Sequence, residues 1–401
     1  MRVLISMLLM LAGCATTARQ SPDGVEVAVA FDRTGERGAS AAGLADPATG
    51  RRATPDDPVR IASISKLVVA IGVMRLVEQG KLDLDYDVSR WLGYPVRNPA
   101  FPAKPVSLRQ LLSHTSSLRD HDDQYAIPLG ESLRSVLVDP NSWDAARGPG
   151  AGYFTYANLN LPVVASIMER ATGERFDRLM QRLVLAPIKL DACFNWPTCS
   201  DDAVARAVVL TEPDGNVIRD DLKGRRPDCA VFVREGRPCD LSAWRPGDNG
   251  ALFSPQGGLR ISARGLARIG RMLASSGEID GQRILSHASV AAMLGPHWVY
   301  DGTNGDTDEG FYCRYGLGIQ LIGTGGQGCN DDIGGDLTPR FGHAGEAYGL
   351  RSGIWFQPVS GRGVAYFTTA LGPDPERGRT AFRAAEERAF ERAVSIGQQR
   401  P

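Results

Sequence analysis

Apolar and polar positions alternate from Val25 to Phe31, with Val25, Val27, Val29 and Phe31 set against Glu26, Ala28 and Ala30. A period of two predicts a half-buried strand, and the turn residues Gly35 and Gly38 then lead to a weaker second strand over 39–44. From Ser63 to Gln79 the chain is apolar on most sides and stops at Gly80, the pattern of a helix buried in the centre of a domain. Residues 81–250 carry amphipathic helical patterns, as at 107–113 and 161–171, between long Pro- and Gly-containing loops. Beyond Phe253, Gly257-Gly258-Leu259 leads into helical patterns over 262–275 and 286–294. Strand-like runs follow at 315–322, 350–356 and 363–371, and a charged amphipathic helix is predicted over 376–396, interrupted only by Gly378.

Strands at both ends and helices between them predict an α+β architecture. Residues 25–80 and 253–397 would form one mixed α/β domain, with a helix-rich domain over 81–252 inserted into it. Composition agrees with a folded, soluble protein: 401 residues, 43% hydrophobic, 45 basic and 46 acidic side chains. A net charge of −1 offers no general attraction for nucleic acid, so no such partner is expected. No protein partner is predicted either.

The first residues read as an export signal over 1–13, one positive charge followed by a short apolar run. Leu11-Ala12-Gly13-Cys14 is similar to the lipobox of bacterial lipoproteins, which implies a lipidated Cys14, a tether over 14–24 and a location on the periplasmic face, at the outer membrane. The six remaining cysteines fall as three close pairs. In an oxidising compartment these predict disulfides 193–199, 229–239 and 313–329, with zinc as the weaker alternative because no pair has two-residue spacing.

Only five of the 45 basic residues are lysines, at 66, 81, 104, 189 and 223. Lys66 closes the tetrad Ser63-Ile64-Ser65-Lys66, and a spacing of three puts hydroxyl and amine on one helical face. A lysine can deprotonate a serine only when neutral, which burial promotes and which arginine cannot match. Tyr156-Ala157-Asn158 follows a glycine-rich loop and supplies a hydroxyl able to relay a proton and an amide able to hold a substrate or the lysine. His343-Ala344-Gly345, in Phe341–Glu346, places a histidine and small residues where a strand edge would line the same cleft. His114 reads as a structural histidine at a helix end; neither His121-Asp122-Asp123 nor the acidic loop 301–309 has metal-binding spacing. No metal or other cofactor is expected.

Taken together and in this order, these boxes resemble the penicillin-recognising serine hydrolases: class C β-lactamases, low-molecular-weight penicillin-binding proteins and related esterases. The likeness includes Arg60-Ile61-Ala62 before the tetrad, Leu111–Leu118, and Gly257-Gly258-Leu259. It implies an antiparallel sheet flanked by helices, with a helical domain and Ser63 between them. It also implies an acyl-enzyme on Ser63, proton transfer by Lys66 and Tyr156, and an oxyanion hole from the backbone N–H groups of Ser63 and Glu346. Asn158, His343, Ala344, Gly345 and Arg351 would contact a small-molecule or peptide-like ester or amide. Where relatives carry Lys-Thr-Gly or Lys-Ser-Gly this chain has His343-Ala344-Gly345, which weakens the case for a carboxylate-bearing β-lactam or peptide and favours esters or non-β-lactam amides. The same departure motivates a second expectation, a penicillin- or peptidoglycan-binding sensor that is acylated but scarcely turns over.

Overall fold

An eight-stranded antiparallel sheet takes its strands from both ends of the chain. Residues 24–211, 216–218 and 225–398 are described by the computed structural model, so the expected leader, Cys14 and most of the tether lie outside the described residues. Strands β1 (Glu26–Phe31) and β2 (Glu36–Ala42) are joined by β3 (Trp298–Val299), β4 (Arg314–Tyr315), β5 (Gln320–Ile322), β6 (Arg340–Ala347), β7 (Leu350–Phe356) and β8 (Gly363–Thr368). The order across the sheet is β3-β4-β5-β6-β7-β8-β1-β2. β1 therefore lies inside the sheet, paired from Val27 to Phe367 on one side and from Val27 to Ala41 on the other.

That position corrects the half-buried reading of β1. Val27, Val29 and Phe31 enter the main core, whereas Ala28 enters a second core with Trp355, Tyr366 and Phe390. Small residues at 28 and 30 leave room for a helix on the outer face. That helix is α4 (Ala384–Gln398); α1 (Ser65–Glu78), α2 (Asn160–Thr172) and α3 (Ala263–Ala274) complete the principal helices. Ten consecutive residues of α1, Ser65 to Met74, are buried, and the helix stops at Gly80 as its sequence predicts.

Two predicted elements differ. The single run at 315–322 is two short strands, β4 and β5, joined through Gly316 and Gly318, the latter at φ +65°. The final helix starts at 384 rather than 376. The Glu387 carboxylate accepts the N–H groups of Arg379 (3.1 Å) and Thr380 (2.9 Å), folding 376–383 back over the first turn. Gly378 permits this because a Cβ there would lie 2.5 Å from Glu387 Oε1. The three expected disulfides, Cys193–Cys199, Cys229–Cys239 and Cys313–Cys329, are all formed.

A small sheet pins the turn that leads into α1. Val59–Arg60 pairs with Leu259–Ile261, which pairs with Cys193–Phe194, so the middle of the chain is tied to the beginning. From the large sheet, Ser352 on β7 donates to the Ile61 carbonyl at 3.0 Å, and Gly345 on β6 packs against the same carbonyl.

A Cβ at Gly345 would sit 2.3 Å from Ile61 O and 2.5 Å from Ser352 Oγ, so Gly345→Ala must push β6 away from this turn. Overpacking of this kind costs about 1–3 kcal/mol. Thermal denaturation should show a lower midpoint, and acylation of Ser63 by a serine-directed probe should slow by roughly 10- to 100-fold. Unchanged values in both measurements would show that this contact does not position the turn.

Candidate active site

Ser63 sits in a 3-10 turn, Ala62–Ile64, at the head of α1. Ala62 is held at φ +51°, a left-handed conformation that a non-glycine residue adopts only under constraint. The constraint is visible: Ser65 Oγ donates to Ala62 O at 2.6 Å and accepts from Leu259 N at 3.1 Å. The turn brings Ser63 to the cleft while the following residues descend into the core.

Lys66, one helical turn on, is completely buried, with Nζ 2.8 Å from Ser63 Oγ, 2.8 Å from Asn158 Oδ1 and 3.0 Å from the Gln256 carbonyl. A neutral primary amine has two N–H donors and one lone pair. Two carbonyl-type acceptors and one hydroxyl match that inventory, with Ser63 able to donate to Nζ. Burial lowers the Lys66 pKa from 10.5 to about 7, partly opposed by the negative charge of Asp120. The amine is therefore available as a base near neutral pH. Nζ also lies 4.8 Å from the centre of the Tyr156 ring, whose face stabilises the ammonium once formed.

Tyr156 stands opposite. Its hydroxyl is buried and has no partner in full hydrogen-bond geometry, although Ser63 and Tyr312 lie close enough to influence its ionisation. Burial pushes its pKa far above the phenol value, so it remains a phenol. Between Lys66 and Tyr156, the lysine is the group that can take a proton at pH 7. Asn158 faces Lys66, which fixes it as a residue tying the amine in place as well as lining the cleft.

Asp120, absent from the sequence-based site, organises this box. Its two oxygens accept the backbone N–H groups of Asn158 (2.7 Å) and Leu159 (3.0 Å). Burial raises its pKa, while those two N–H groups oppose the rise. His114 keeps its structural role: Nδ1 lies 3.1 Å from Ala157 N and 3.1 Å from Asn160 Nδ2, and the ring stacks on Tyr156 at 4.5 Å.

The third box requires a correction. His343 is 2% exposed and does not line the cavity. Its Nε2 lies 2.8 Å from the Tyr315 hydroxyl and Nδ1 2.5 Å from the Ala344 carbonyl, an arrangement satisfied by a neutral ring that donates from Nδ1 and accepts at Nε2. Burial, followed by the nearby Lys66 charge, lowers its pKa to about 3. It presents neither a cation nor a contact atom to a substrate. Ala344, Gly345, Glu346 and Arg351 do line the cavity, but Arg351 is ion-paired with Glu346.

The cavity has a volume of about 520 Å³. Ser63, Tyr156 and Asn158 form one wall. Further lining comes from 308–312 and from 377–383, within the stretch predicted as helix. Tyr312 and the Gln256 carbonyl are further site groups that motif spacing did not reveal; an aromatic next to Cys313 was the available signal for the first.

The beta-lactamase family profile matches residues 15–389. Esterase EstB of Burkholderia gladioli is 34% identical over 237 residues, which cover 55% of this chain and 60% of the esterase. Penicillin-binding protein 4 of Amycolatopsis lactamdurans is 27% identical over 272 residues, 67% of this chain and 64% of that protein. Among solved structures, D-amino acid amidase from Ochrobactrum anthropi SV3 superposes with a TM-score of 0.63 at 19% identity, covering 93% of each chain. The octameric penicillin-binding protein homologue from Pyrococcus abyssi gives a TM-score of 0.64 at 18% identity, covering 94% of this chain and 74% of that one. At such identities the superpositions show a shared fold.

Asp120→Asn leaves one side-chain oxygen for two N–H groups, and an orphaned buried donor costs about 1–3 kcal/mol. It also removes the charge that raises the Lys66 pKa. Denaturation should report lower stability, and the pH limb of Ser63 acylation should move to lower pH. A limb that stays in place or moves up would contradict the charge coupling.

Proposed function

Since the chain belongs to the β-lactamase family, we propose that it is a serine hydrolase that cleaves an ester or amide through an acyl-enzyme on Ser63. The observation that carries this reading is the buried Lys66 amine, 2.8 Å from Ser63 Oγ and with a pKa near 7. Lys66 Nζ takes the hydroxyl proton as Oγ bonds to the carbonyl carbon. The carbonyl π electrons move to oxygen, and the backbone N–H groups of Ser63 and Glu346 receive the oxyanion; loss of one such donor typically costs about 3–4 kcal/mol. As the tetrahedral species collapses, the leaving alkoxide or amine is protonated from Lys66, directly or through the Tyr156 phenol. Water then attacks the acyl carbon, its proton passes to Lys66, and Ser63 is regenerated.

Substrate choice follows from what the third box lacks. A buried neutral His343, an Ala344 without a hydroxyl and an Arg351 already paired leave the third box itself no ready cradle for a substrate carboxylate. Of the other arginines lining the cavity, Arg377 and Arg379 are paired with Glu309 and Glu387, and Arg383 donates to the Pro375 carbonyl. We therefore favour uncharged esters over penicillins and D-Ala-D-Ala peptides. From the lipobox alone we propose export and lipid attachment at Cys14; Cys14→Ser should then release the protein into the soluble fraction, and persistent membrane association would contradict it.

A panel of p-nitrophenyl short-chain esters, penicillin, cephalosporin and D-Ala-D-Ala peptide tests the function. Ester turnover should be the fastest, abolished in Ser63→Ala, with kcat/KM rising through a pKa near 7 and level above it, because the neutral amine is the active form. Lys66→Arg should lose at least about a hundredfold, since a guanidinium stays charged. A stable penicillin adduct without ester turnover would instead identify a sensor.

A further inference from the structure

The Cys313–Cys329 disulfide borders the cleft, yet neither it nor Tyr312 has a part in the acyl-transfer steps. Resting on that reading, we propose that Tyr312 is a positioning residue for Tyr156, and that the Cys313–Cys329 bridge holds Tyr312 to this task, so that opening the bridge slows turnover.

Tyr156 has little else to orient it. Its hydroxyl lacks a partner in full hydrogen-bond geometry, so the ring is located by what stacks on it. His114 stacks at 4.5 Å with 26° between planes, and Tyr312 stacks at 4.9 Å with 16°. The His114 side is anchored by Ala157 N and Asn160 Nδ2, each 3.1 Å from Nδ1. The Tyr312 side is a loop, fastened by hydrogen bonds from Tyr312 N to Thr307 O (2.8 Å), from Tyr300 N to Cys313 O (2.8 Å) and from Gln320 Nε2 to Phe311 O (2.7 Å), and covalently by the disulfide at the next residue.

The other half of the bridge leads toward the segment at 377–383. Cys329 precedes Asn330, which lines the cavity, donates from its N–H to Gly310 O at 2.9 Å and accepts at its carbonyl from Ala381 N at 2.7 Å. One covalent link thus joins the tyrosine that supports Tyr156 to the strap at 377–383. Cys193–Cys199 and Cys229–Cys239 border no part of this cavity. Opening Cys313–Cys329 removes the covalent fastening and leaves Tyr312 held by hydrogen bonds and ring contacts alone, and misplacement of a catalytic group by about an ångström can cost up to a hundredfold in rate.

The test compares ester turnover by the full chain in wild type, Tyr312→Phe, Tyr312→Ala, the Cys313→Ser/Cys329→Ser double variant and a Cys229→Ser/Cys239→Ser control. Tyr312→Ala and the Cys313/Cys329 variant should lose about tenfold or more in kcat with KM within about twofold. Tyr312→Phe, which keeps the stacking ring and loses only the hydroxyl, should lose clearly less kcat than Tyr312→Ala, and the control pair should leave kcat unchanged even if its melting point falls. Should the double variant fail to fold, graded reduction of wild type, with mass spectrometry reporting which bridge opens, gives the same reading: activity should fall as Cys313–Cys329 opens. Tyr312→Ala within twofold of wild type, equal losses in Tyr312→Phe, or full activity with that bridge open would each overturn the proposal. Absence of both ester and amide turnover in the wild type itself would instead contradict the acyl-transfer reading.

Discussion

A primary amine deprived of water, with only neutral groups in contact, is the constraint on which the site depends. Keeping Lys66 at a pKa near 7 rather than 10.5 corresponds to about 5 kcal/mol of preference for the uncharged form. The three atoms around Nζ are a hydroxyl, an amide oxygen and a peptide carbonyl. The nearby carboxylate, Asp120, spends its hydrogen-bonding capacity on two backbone N–H groups instead. Direct pairing with Nζ would hold the lysine as an ammonium and remove the base. Asp120 thus acts at two removes, shaping the Asn158 backbone and moderating the lysine pKa.

The neutral partners come from distant parts of the chain, and the architecture accounts for how they meet. The small sheet joins Val59–Arg60 to Leu259–Ile261, bringing the Ser63 turn beside Gln256. The sheet edge at β6 and β7 presses on the same turn through Gly345 and Ser352. Asp120 and His114 seat the Tyr156–Asn158 box against the head of α1. The positive φ at Ala62 is the local cost of aiming Ser63 outward while Lys66 stays inside.

Much of this was legible in the sequence where chemistry and spacing coincide. Ser63 and Lys66 share a helical face, a retained lysine stands out among arginines, and the three cysteine pairs close as their proximity predicts. The fold class was likewise readable from strands at both ends. Asp120 was not, because a single aspartate carries no motif and its targets lie 38 and 39 residues away. His343 was placed on the right strand but on the wrong side of it: its partner Tyr315 comes from a strand whose pairing no local pattern reveals. The cleft-forming strap at 376–383 has helix-favouring composition, and long-range contacts, with Glu387 and from Ala381 N to Asn330 O, hold it as a loop.

The protonation state of Lys66 can be read directly, because the chain has only five lysines. With lysine labelled at Cε by carbon-13, an NMR titration of the resting protein, assigned by comparison with Lys66→Arg, should show one lysine titrating near pH 7 and the others above about 10. If the Lys66 signal instead titrates with the rest, the amine is an ordinary ammonium at neutral pH and cannot be the base that activates Ser63.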